Sequence, residues 1–159
     1  MSMTPGFGKL QTPRDLLDKL RHDYRRMERD PLDQYAAFDF FATAESAVDW
    51  LLPGKANRVQ REQFRQANIL IEITSHIASG AKHFKAEASH HRSVQHVDAA
   101  PSAFDPNAFD GDAFQTGELE VTLEGPAASA LGPSTRALVL AQKVLAFWES
   151  QLAPPDAHL

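Results

Sequence analysis

Cysteine is absent from this 159-residue chain. Disulfides, thiol catalysis and thiolate metal sites are therefore excluded. Long apolar runs are missing too: none approaches the roughly 20 residues that a membrane helix requires. The N-terminal stretch MSMTPGFGKLQTP has no basic-then-apolar leader pattern. Glycine-rich phosphate loops, HExxH and GxSxG are also lacking, so three common kinds of catalytic motif have no representative. Positive charge is outweighed, with 16 Lys and Arg against 21 Asp and Glu and a net charge of -5. That balance disfavours broad, non-specific binding to nucleic acid or acidic lipid. The expected location is the cytoplasm, with no membrane partner.

What is present suffices for one ordinary domain. Hydrophobic residues make up 43% and charged residues 23%, and this length buries a core without metal or disulfide support. Residues 1–12 and 153–159 read as loose tails around a domain at 13–152. Thr12-Pro13 can open a first helix, with Thr12 as N-cap. Leu16, Leu17, Leu20, Tyr24 and Met27 share one face. Asp30-Pro31 ends that helix. A second runs from about Leu32 to Leu52, apolar around most of its girth and so central; Asp39 and Asp49 on it are expected to be partly buried. Pro53-Gly54 stops it. A long third helix is expected from about Asn57 to Ala88, unbroken.

Beyond Ser89 the pattern changes. Ser93 to Asp98 reads as a short strand, and Glu118 to Glu124 alternates strictly, with Leu119, Val121 and Leu123 on one side. These make a hairpin at about 92–124. Its loop carries Phe104, Phe109 and Phe114 at five-residue spacing. Gly132-Pro133-Ser134 then introduces a last helix reaching about Gln151. The expected fold is mainly α: a four- to five-helix bundle with a small β-hairpin inserted before the C-terminal helix.

Five of the seven histidines lie between residues 76 and 96. Residues seven apart on a helix differ by only about 20° in direction, so His76 and His83 share a face. Glu72 precedes His76 by four residues and Glu87 follows His83 by four. Glu72, His76, His83 and Glu87 thus form one stripe, and a Glu–His pair one turn apart can chelate an ion. His76 and His83 are about 10.5 Å apart along the axis, too far to share an ion easily. The plainer account is a polar helix edge with pairs one turn apart. Asp105, Asn107, Asp110 and Asp112 make an oxygen-rich loop, but the glutamate that closes an EF-hand is replaced by Thr116. Arg21, Arg25, Arg26, Arg29, Arg58, Arg61 and Arg65 would make a basic face suited to a phosphate backbone if their segments lay together.

The stretch Ile77-Ala78-Ser79-Gly80-Ala81-Lys82-His83-Phe84 resembles a segment of small bacterial proteins of the HEPN type (higher eukaryotes and prokaryotes nucleotide-binding). AAFDFFATAESAVDWL and LAQKVLAFWESQL, on the second and last helices, resemble them more loosely. The resemblance spans most of residues 33 to 152, and Gly-x-Lys-His-Phe is its most specific part. It implies a helical bundle paired as a homodimer, with no cofactor. In active members an arginine shortly before a histidine helps cleave RNA without metal. His83 matches the histidine. The arginine has no counterpart ahead of it, where residues 76 to 78 are His76, Ile77 and Ala78. In a nuclease His83 would be the general base or acid, Lys82 a phosphate-steadying cation, and His76 a cation when protonated. The resemblance implies RNA processing, or a toxin–antitoxin or phage-defence role. A non-catalytic protein-interaction module and a metal-binding helical protein are the alternatives.

Overall fold

A computed structural model describes residues 7–83, 94–99 and 118–152, with the backbone alone described at 81–83, 95, 96, 98 and 99. The expected tail at 153–159, the loop of Phe104, Phe109 and Phe114, the loop of Asp105, Asn107, Asp110 and Asp112, and Glu87 lie outside the described residues. Within them the chain is mainly helical, and a small antiparallel sheet precedes the last helix.

Helix α1 spans Pro13–Arg29 and begins as its sequence dictates. The Thr12 hydroxyl accepts from the Asp15 N–H at 3.2 Å, and the Asp15 carboxylate accepts from the Thr12 N–H at 2.8 Å. This reciprocal pair satisfies two amides that a helix start leaves over. Helix α2, Gln34–Leu51, is capped by Asp33, whose carboxylate accepts from the amides of Tyr35 and Ala36. It buries Ala36, Ala37, Phe40, Phe41, Ala44, Ala47 and Val48. Helices α1, α4 and α6 all pack on it. Small residues on several sides let three neighbours approach at once.

The expected single helix from Asn57 to Ala88 is instead broken. Helix α3, Arg58–Ala67, ends at Asn68, and α4, Ile69–His83, starts immediately after. Asn68 takes an extended backbone (φ -130°, ψ 105°). Its side-chain amide donates to the Phe64 carbonyl at 2.8 Å, and its own carbonyl accepts from the amides of Ile71 and Glu72, both at 2.9 Å. One asparagine thus closes one helix and starts the next, with no proline or glycine needed. The bend lets Ile71 and Ile73 enter the core, both at 0% exposure, while α3 buries nothing fully.

Strand β1 (Val94–Ala99) pairs antiparallel with β2 (Leu119–Leu123), which realises the expected hairpin. A third strand not expected from sequence, β3 (Ser134–Arg136), pairs with the other edge of β2. Between them lies a short helix, α5 (Gly125–Leu131), also unexpected. The final helix α6 therefore starts at Ala137, later than the Gly132-Pro133-Ser134 signal suggests, and runs to Leu152. Gly132 at φ +91° makes the turn from α5 into β3, a backbone conformation that side chains resist. Leu119, Val121 and Leu123 all face inward. They meet the core around Leu140, Val144 and Trp148 of α6 and Phe40 and Phe41 of α2. The Leu119 N–H donates to the Pro31 carbonyl at 3.3 Å, which ties the sheet to the α1–α2 turn.

Candidate functional site

Helix α4 carries the residues that chemistry would need. Glu72 and His76 lie one turn apart on it, and the helical backbone continues to His83. The bend at Asn68 precedes this stretch, so Glu72 and His76 stay on one helix. His76, however, sits below the surface at 7% exposure, beside Thr74 at 0% and Ser75 at 9%. A buried imidazole does not reach a polymer phosphate in this conformation. The side chains of Lys82 and His83 lie outside the described residues, as does Glu87. Among the described residues no group of three metal-ligating side chains forms.

The arginines are mostly committed elsewhere. Arg21 contacts Asp18 and Glu149, both at 3.0 Å. Arg26 contacts Asp23 and Asp39. The Arg61 Nη1 donates to the carbonyls of Leu52 and Gly54, each at 2.7 Å, while its Nε faces Asp49 at 3.0 Å. Arg61 thereby closes the negative end of α2. Arg65 donates to Glu45 at 2.7 Å. Arg25, Arg29 and Arg58 are exposed. The seven arginines thus do not act as one open cationic face: four of them are neutralised by carboxylates.

Of the two acids expected to be partly buried, Asp39 is half-buried, whereas Asp49 is exposed. The fully buried acid is Asp23, at 1%, on the same face of α1 as Leu16, Leu20 and Met27. It receives Lys19, the Thr43 hydroxyl at 3.4 Å and Arg26 at 3.3 Å. Its sequence signal was its spacing: Asp23 follows Leu20 by three residues and precedes Met27 by four, the interval of the buried stripe.

Glu45 is partly buried, with 21% of its side chain exposed. Burial pushes its carboxyl above the ordinary range, against the pull of Arg65, and the nearby carboxylates of Asp49 and Glu62 push the same way. The charged form is thus disfavoured when folded. A raised folded value means stability that is present at acid pH and lost as pH rises through it. The difference in stability between Glu45→Gln and wild type, measured by urea unfolding, should therefore widen in the variant's favour from pH 4 to pH 7. A constant difference would contradict the burial argument.

Leu32, in the turn before α2, and Tyr35 and Phe38, in its first turns, are exposed by 45%, 83% and 50%. Large apolar side chains grouped in this way present a single surface.

Comparison with family models, with curated proteins and with solved structures finds no match for this chain. Fold and site together define a bundle of helices around a central α2, with a three-stranded antiparallel sheet docked on one side. No helix among the described residues is long and apolar enough to cross a membrane.

Proposed function

We propose that this chain is a HEPN-like bundle protein that works as a homodimeric interaction component in an RNA-processing or defence setting. The observation that carries the dimer is the exposed row of Leu32, Tyr35 and Phe38. Beyond them the outer face of α2 continues with the small residues Ala42 and Ser46 before it reaches the exposed carboxylate of Asp49. The apolar part of this face suits pairing with a copy of itself, because a two-fold axis sets each group against its own kind. Small residues let two such helices approach closely. A standard interface buries about 800 Å² per partner. Two large aromatic side chains supply a substantial part of that.

Sedimentation at micromolar concentration should give twice the chain mass for wild type and the chain mass for Tyr35→Glu/Phe38→Glu, because the charges would face one another across the axis. A monomeric wild type, or an unaltered dimer in the double variant, would refute the reading.

The resemblance at Gly80-Ala81-Lys82-His83-Phe84 supports a second reading, a metal-independent ribonuclease. In it His83 moves the proton of a ribose 2′-hydroxyl or of the leaving oxygen. The chain should then cleave RNA equally with and without EDTA, and His83→Ala should lower the rate by about 10²- to 10⁴-fold. Intact RNA after prolonged incubation with wild type would leave the interaction role alone standing.

A further inference from the structure

Helix α3 differs from every long helix around it. None of its ten residues is buried, whereas its neighbour α4 seals Ile71 and Ile73 completely. Three side chains hold it down. The Phe64 ring stacks on the Trp148 indole (centroids 5.9 Å apart, planes at 26°) and meets Phe147 edge-on at 6.0 Å. Arg61 grips the carbonyls of Leu52 and Gly54, and Arg65 grips Glu45. Both guanidinium anchors reach back onto α2 and the turn that follows it.

Both ends of α3 are jointed. Gly54, before it, stands at φ +85° with open space around its α-carbon. Asn68, after it, is extended. No side chain caps the start of α3. A ten-residue helix without a cap gains little stability by itself in water. The docked arrangement also has a cost. Among the described residues, the second carboxylate oxygen of Glu45 and the indole N–H of Trp148 are buried without hydrogen-bond partners. A buried polar atom left unpaired costs about 1–3 kcal/mol. Lifting Arg65 away opens Glu45 to water and relieves part of that cost.

We infer that α3 is a hinged latch, turning as a unit about Gly54 and Asn68, whose release uncovers the aromatic surface of Phe147 and Trp148 while the rest of the bundle stays folded. The release is a local opening of the kind drawn from the weakly buried end of a fold. It requires neither the dimer nor the nuclease activity.

Hydrogen exchange of the full chain, followed by mass spectrometry, tests this. Peptides across 58–67 should exchange together, at least about tenfold faster than peptides of α2 and α6. Phe64→Ala should speed the exchange of 58–67 further and leave α2 and α6 unchanged. If that variant loosens the whole chain, Arg61→Gln, which removes a mostly buried anchor on the last turn of α2, should speed 58–67 and at most that last turn of α2, leaving the rest of α2 and α6 unchanged. Protection of 58–67 within tenfold of α2 would overturn the inference. So would acceleration spread evenly over all helices in both variants.

Discussion

Phe40→Ala is expected to cost about 3–5 kcal/mol, the range for truncating a fully buried aromatic. Phe40 is completely enclosed on α2. Its ring meets Phe41 edge-on at 5.3 Å and Tyr24 of α1 at 6.4 Å. Three helices pack on α2, so the walls of the resulting cavity are fixed from several sides and collapse poorly. For a chain of this size each kcal/mol lowers the melting temperature by roughly 2–4 °C, so a fall of about 10 °C is expected. Gln34→Ala is the control: exposed at the start of the same helix, it should alter stability by less than about 1 kcal/mol. Equal losses in the two variants would mean that α2 does not sit at the centre of the bundle.

The second large effect is at Asp23. Removing this buried carboxylate strands Lys19 and Arg26, both drawn toward it from the same helix, and frees the Thr43 hydroxyl of α2. Breaking a fully buried ion pair costs about 3–5 kcal/mol. Here the two cations keep 35% and 29% of their side-chain surface in water and can turn outward. About 2 kcal/mol is therefore the expected loss for Asp23→Ala, read by chemical unfolding at neutral pH. Adding Lys19→Met should recover part of it, because a flexible apolar side chain then fills the space without a charge. A double variant less stable than the sum of the two singles would show that Lys19 matters for a reason other than Asp23.

Both residues show how far local pattern reaches. Phe40 belongs to a run of aromatics and small residues whose spread around α2 marks a central helix in the sequence itself. Asp23 occupies a core position by spacing alone. Its polarity hides this, since the partners that make its burial tolerable come partly from another helix. The same holds for Glu45, which is legible as an acid on α2 but becomes a partly buried one only when Arg65 closes over it. At His76 the stripe of Glu72, His76 and His83 was readable from the helical repeat. Whether that stripe faced solvent depended on which side of α4 met α2, α5, α6 and β1.

The chain's own order of residues determined the ends of α1 and α2, through Thr12-Pro13, Asp30-Pro31 and Pro53-Gly54, and the inward side of β2, through strict alternation. These are decisions between neighbours a few positions apart, where one backbone conformation or hydrogen bond settles the matter. The bend at Asn68, the strand Ser134–Arg136, the burial of Asp23, Glu45 and His76 and the exposure of Tyr35 and Phe38 were decided by the tertiary structure. Each depends on a surface contributed by a distant segment: β2 supplies the ladder for β3, and the core admits Ile71 and Ile73 only when the helix turns. A local pattern states what a segment can present, while packing decides which side is covered.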